Sequence, residues 1–155
     1  MKMKKIIICH VCNNIGAWGQ GFALSISKKW DWVEHSYKNW HRRGLTMMDG
    51  NKNNTYVNFK LGCVQFVVIN KKLIVANMIA QNGIISPTNN KQLSMEDLEI
   101  CLEKCYSVAK MHGAALQMPR IGAGLAGGDW NEIEPVLRRL ALFHQITTKV
   151  LHMDP

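Results

Sequence analysis

Twice along this chain an apolar run gives way to a cluster of glycines and then to a helix-forming stretch, and that repeated order constrains the fold more than any other feature. The first instance is Ile6 to Val11, Gly16 to Gly21 and Phe22 to Trp30; the second is Ala114 to Met118, Gly122 to Gly128 and Glu132 to Phe143. The apolar runs, the first of them rich in β-branched residues, predict buried strands, and the glycine-free and proline-free mix of apolar and polar residues from Phe22 to Trp30 predicts a helix. In an α/β sheet the loop between such elements lies beyond the carboxyl end of its strand, where ligands bind. Glycine lets the backbone approach a ligand closely, and a helix N-terminus presents unpaired N–H groups to an anion. Two such loops facing one crevice suit a diphosphate. Either loop alone is a weak signal, because turns and close packing also call for glycine. Gly16-x-x-Gly19-x-Gly21 is not the dinucleotide pattern G-x-G-x-x-G, and Gly122 to Gly128 lacks the Lys-Ser/Thr of a P-loop. Their equivalent positions, one after Asn13-Asn14 and the other after Pro119-Arg120, point to a shared phosphate cradle.

The remaining elements follow from pattern. Trp32 to Arg43 carries Val33, Tyr37 and Trp40 at helical spacing and stops at Gly44. Met47 to Asn58 holds a run of turn formers and reads as an exposed loop. Cys63 to Ile69 and Leu73 to Ile79, joined by Asn70-Lys71-Lys72, read as an antiparallel hairpin, and Gln81 to Gln92 as a second loop. Ser94 and Asp97 form a capping box that opens a helix running through Met111, with Leu98, Cys101, Leu102, Cys105 and Ala109 on one face and Gly113 at its end. Asp129 and Glu132 are placed to cap a last helix through Phe143, whose regular part is expected only from Glu132 because of Pro135. Thr147 to Met153 reads as a closing strand. This order predicts a mixed sheet covered by helices on both faces.

With 155 residues, 47% of them apolar, the chain has the material for one core and is expected to form one domain over residues 1–155. Its longest apolar runs, such as Val64 to Ile69, stop well short of the roughly 20 residues that span a bilayer, so no membrane association is expected. The basic start Met1-Lys2-Met3-Lys4-Lys5 lacks the apolar region and cleavage site of a signal peptide. Five cysteines, an odd number without framework spacing, fit a reducing cytoplasm. The net charge of +8 is spread over pairs such as Lys28/Lys29 and Arg138/Arg139, which favours a general attraction for anions over nucleic-acid reading. Cys9-x-x-Cys12 would place its two thiols on opposite faces of a strand, and no matching pair completes a zinc site, so neither metal nor cofactor is expected. Trp30, Trp32 and Trp40 read as packing residues, whereas Trp18, inside the first loop, either covers a sugar or packs beneath the loop. His35, His41, His112, His144 and His152 fall in no evident constellation.

Three blocks carry a family likeness: His10 to Ala23, Val75 to Gln81, and Met118 to Gly128. In this order they closely resemble the macrodomain family over nearly the whole chain. The resemblance implies a three-layer α/β/α fold with a mixed central sheet, binding ADP-ribose or a derivative. The first loop would wrap the distal ribose and diphosphate with Asn14, Ile15, Gly16, Ala17, Trp18, Gly19, Gly21 and Phe22. Gln81 would approach from the hairpin. Pro119, Arg120, Ile121, Gly122, Ala123, Gly124, Leu125, Ala126 and Gly127 would hold the diphosphate from the other side. Within the family the chain is most similar to the branch of ADP-ribose 1''-phosphate phosphatases and terminal ADP-ribose protein glycohydrolases. Phosphatase members have a histidine matching His10, ahead of the Cys12-Asn13 pair, so His10 and Asn13 are the implied catalytic residues. A histidine there can orient a water or protonate a leaving oxygen; a core histidine satisfied by a carbonyl is the plain alternative. Glycohydrolase members place a lysine and an aspartate where this chain has Gln81 and Ala126, and glutamine cannot form a Schiff base. The chain also starts at what would be the family's second strand and lacks the Gly-Asp turn that reads adenine. The Gln81 to Ile85 loop and nearby aromatic rings are the substitute candidates, and the open sheet edge could be covered by a second copy as a homodimer. The leading expectation is a metal-independent hydrolase of ADP-ribose 1''-phosphate. The alternatives are a non-catalytic module that binds ADP-ribose or a related signalling nucleotide, and lysine-independent removal of ADP-ribose from macromolecules.

Overall fold

A computed structural model of the chain describes residues 4–47, 56–124 and 126–151. In chain order the elements are β1 (Lys5–Asn13), α1 (Phe22–Lys29), α2 (Asp31–Arg43), β2 (Leu45–Met47), β3 (Tyr56–Asn58), β4 (Val64–Asn70), β5 (Leu73–Gln81), α3 (Met95–His112), β6 (Ala114–Met118), α4 (Trp130–His144) and β7 (Thr148–Val150). The main sheet has five strands in the order β4-β5-β1-β6-β7. β5, β1, β6 and β7 run parallel, and β4 joins antiparallel through the hairpin. A strand buried on both sides needs apolar residues at successive positions, which is why β1 and β5 read as nearly continuous hydrophobic runs.

Alternation along β1 sorts its side chains between the two faces. Ile7 and Cys9 enter a core shared with Leu98, Cys101, Leu102 and Cys105 of α3 and Ile133, Leu137 and Leu140 of α4. On the opposite face Cys12 packs with Tyr37 and Trp40 of α2, and Val75 of β5 packs with Ile26 of α1 and Val33 of α2. The result is the three-layer α/β/α architecture expected from the order of elements. Cys9 and Cys12 do sit on opposite faces, and all five cysteines are buried free thiols.

Four expectations are corrected. Met47 to Asn58 is not a loop at its ends: Leu45–Met47 pairs antiparallel with Tyr56–Asn58, and the Trp40 indole N–H donates to the Val57 carbonyl at 3.0 Å. The turn-forming residues 48–55 lie outside the described residues. The last helix begins at Trp130 rather than Glu132, because the Asp129 side chain accepts from the Asn131 N–H at 2.9 Å and secures the first turn ahead of Pro135. The closing strand is limited to Thr148–Val150, although the Leu151 N–H still donates to the Met118 carbonyl at 2.7 Å, and Met153 lies outside the described residues. Trp32 is 43% exposed on α2 while Trp40 is buried.

Candidate active site

Four parallel strands deliver their carboxyl ends to one edge of the sheet, and there a cavity of about 1100 Å³ opens. Its walls come from the end of β1, the first loop with the start of α1, Gln81 at the end of β5, the second loop with the start of α4, and Leu151 beyond β7.

Asn13 builds the first loop. Its side-chain oxygen accepts from the backbone N–H groups of Ile15 and Ala17, each at 3.1 Å, and from the Tyr37 hydroxyl at 2.9 Å. Its amide nitrogen donates to the Ala17 carbonyl at 2.6 Å. The oxygen is therefore fully committed to the loop and to Tyr37, and among the described residues one amide hydrogen has no partner. Gly16 turns the chain at φ +78°, and a Cβ there would collide with the His41 ring. Beyond it the Trp18 indole donates to the Ala23 carbonyl at 3.1 Å and packs on Tyr37, so Trp18 both lines the cavity and pins the loop to α1. No side chain among the described residues caps α1, whose first-turn N–H groups face a glycine at the cap position. Such an end attracts an anion.

The second loop is shaped differently. Gly128 packs so closely that a Cβ would stand 2.5 Å from the Gly122 carbonyl oxygen, which itself accepts from the Gly128 N–H at 2.8 Å. Here the helix start is already occupied, since Asp129 caps α4 with its own carboxylate. The two helix ends are thus not equivalent: α1 is open to an anion and α4 carries a negative charge. Arg120, whose guanidinium lies 5.8 Å from the Trp130 ring centroid, supplies the cation on this side.

His10 is only 2% exposed, yet it belongs to the cavity wall. Its ring lies edge-on to Trp18, with centroids 5.4 Å apart, and 6.3 Å from Phe22. Stripped of water, the charged form is disfavoured, and burial lowers the pKa from 6.5 to about 4 despite the hydrogen bond to Asn77. The imidazole is neutral near pH 7. Cys12 Sγ lies 3.7 Å from Nε2, but burial pushes its thiol well above the ordinary range, so it stays protonated and is no nucleophile. Among the described residues no cluster of His, Cys, Asp and Glu is arranged to hold a metal ion.

A macrodomain protein from Streptomyces coelicolor is 33% identical to this chain and superposes with a TM-score of 0.79, covering 99% of this chain and 92% of that one. The chain belongs to the macrodomain family. A Bacteroides thetaiotaomicron protein of unknown function is 34% identical with a TM-score of 0.85, covering 99% of this macrodomain and 90% of that chain. An ADP-ribose 1''-phosphate phosphatase of Candida albicans is 27% identical over 148 residues, spanning 91% of this macrodomain and 85% of that protein. No protein-family model matches the sequence.

The macrodomain cavity gathers His10, Asn13, Ala17, Trp18, Gly19, Gly21, Phe22, Gln81, Pro119, Arg120, Ile121, Gly122, Ala123, Gly124 and Ala126, drawn from all three sequence blocks. Asn14, Ile15, Gly16 and Gly127 stand outside its lining. Asn14 instead clasps the loop that follows β5, donating to Asn82 at 3.0 Å and accepting from the Gly83 N–H at 2.9 Å. Ile15 is 47% exposed, and Gly127 packs against the Asn90 carbonyl. Leu125 lies outside the described residues. Gln81 donates to the Gly83 carbonyl at 3.0 Å, and Ala126 offers its carbonyl to the N–H groups of Gln92 and Leu93. Ile84 and Ile85 line the cavity, as does Trp130, which the sequence pattern did not single out. Asn77 and Gln65 were missed as well. Their signal was a polar residue set inside each apolar hairpin strand rather than at its end, which burial obliges to find a partner.

Proposed function

We propose that this macrodomain hydrolyses ADP-ribose 1''-phosphate to ADP-ribose and inorganic phosphate, the activity for which its Candida albicans relative is named. The observation that carries the reading is the meeting of a neutral, buried His10 with the uncapped start of α1 in one cavity. The two α1-side elements then divide the chemistry. Backbone N–H groups hold phosphate charge, while His10, which has no proton to give near pH 7, accepts a hydrogen bond from the attacking water rather than protonating the leaving oxygen. Water adds to phosphorus as the P–O1'' bond breaks, and one water proton ends on O1''. An anionic substrate beside the ring raises its basicity. Asn13 acts through the loop it shapes and through its one uncommitted amide hydrogen. Phosphate release from ADP-ribose 1''-phosphate tests the proposal; turnover is expected from the wild type and a large loss in His10→Ala, and a wild type without turnover refutes it.

A second reading, a module that binds ADP-ribose without turning it over, is favoured by Gln81, whose amide is tied to the Gly83 carbonyl where a lysine would be needed for glycohydrolase chemistry. Calorimetric ADP-ribose binding without phosphate release would select it.

A further inference from the structure

His10, Asn77 and Gln65 face one another directly across three neighbouring strands: His10 is the register partner of Asn77 on β5, and Asn77 that of Gln65 on β4. All three are buried, at 2%, 0% and 6% exposure. Their side chains are linked in series. His10 Nε2 lies 2.5 Å from Asn77 Oδ1, Asn77 Nδ2 lies 3.0 Å from Gln65 Oε1, and Gln65 Nε2 lies 3.0 Å from the Ser36 carbonyl of α2.

The direction of every bond in this row follows from its last member. A backbone carbonyl only accepts, so Gln65 must present its NH₂ to Ser36 and its oxygen to Asn77. Asn77 must then present its NH₂ to Gln65 and its oxygen to His10. An amide oxygen also only accepts, so the proton of the neutral imidazole sits on Nε2. We propose that Asn77 and Gln65 are positioning residues that hold His10 as the Nε2–H tautomer, leaving Nδ1, which lies 4.0 Å from Cys12 Sγ, as the ring's one acceptor. Neither residue lines the cavity, so each acts through His10. The consequence for turnover rests on the phosphatase reading above, whereas the tautomer itself does not. The relay also separates this site from a histidine–carboxylate pair: a neutral amide fixes the tautomer without adding a negative charge, and its upward pull on the pKa is outweighed by burial.

Long-range ¹H–¹⁵N spectra of the histidine rings in the full chain, recorded near neutral pH, report the tautomer directly, and His10→Gln identifies the His10 signals by their disappearance. The wild type is expected to show a protonated Nε2 and an unprotonated Nδ1. Gln65→Met removes the step that orients Asn77, so its amide is free to present either end, and the Nδ1–H form appears. In Asn77→Asp the carboxylate accepts only, so the Nε2–H form is retained. If the protein turns over ADP-ribose 1''-phosphate, kcat of Gln65→Met falls in proportion to the Nε2–H population, about twofold for an even mixture, with KM unchanged. Absence of wild-type turnover would refute the phosphatase reading and leave the tautomer measurement standing. A wild type carrying Nδ1–H overturns the relay whether or not the variants fold, as does a folded Gln65→Met protein with an unaltered tautomer.

Discussion

Acid should destabilise this protein in a way that one substitution removes. The His10 pKa is about 4 in the folded chain against 6.5 for the free side chain, because burial penalises the imidazolium. The unfolded chain therefore binds a proton that the folded chain refuses. Stability from this group is present above pH 6.5 and is lost as the pH falls from there toward 4. Between about pH 7 and pH 5 the unfolded imidazole goes from about a quarter protonated to nearly full while the folded one stays neutral, which at about 1.36 kcal/mol per pH unit amounts to a loss of about 2 kcal/mol. His10→Gln has no titrating group there, and its amide can still donate to Asn77. All other ionisable groups are common to both proteins and cancel in the comparison. Urea unfolding followed by tryptophan fluorescence at the two pH values gives the four free energies needed. The wild type should lose about 2 kcal/mol more than His10→Gln; equal losses would mean that burial does not lower the His10 pKa.

Other consequences are local. Gly128→Ala drives a Cβ to 2.5 Å from the Gly122 carbonyl, a backbone atom that cannot step aside, so a stability loss of about 1–3 kcal/mol and weaker ADP-ribose binding are expected from thermal melts and calorimetry. Tyr37→Phe removes the donor to the Asn13 carbonyl at 2.7 Å and to its side chain; a loss of about 1 kcal/mol should be accompanied by weaker binding, and wild-type affinity would show that Asn13 holds the loop unaided. Asp129→Asn keeps a capping oxygen while removing charge from the cavity wall, so stability should move by less than about 0.5 kcal/mol while the nucleotide binds up to about threefold tighter, less so at high salt.

What was legible in the sequence was local. Apolar runs marked β1, β4, β5 and β6, Ser94 and Asp129 announced their helices, and the repeated strand–glycine–helix order located the cavity. Features that depend on pairing between distant segments were not legible. The row from His10 to Gln65 requires the order β4-β5-β1, and its alignment depends on an irregularity between Val68 and Asn70 that shifts the hairpin register by one residue. No local pattern encodes that shift. The difference between the two helix starts was half visible: Asp129 was readable as a cap, but that a cap excludes an anion follows only once its carboxylate is found on the N–H groups. β2 and β3 were hidden because their three-residue pairing is too short to set a period.

An anion docked at the start of α1 would become a part of the protein's own secondary structure. α3 and α4 end their first turns on side chains of the chain itself, Ser94 and Asp129, whereas among the described residues neither α1 nor α2 has a side-chain cap. Of these two starts, that of α1 lines the cavity. The Leu24 N–H already donates to the Gly21 carbonyl at 3.1 Å, so amide exchange at Phe22 and Ala23 should slow when a phosphate docks, before any distant part of the fold responds.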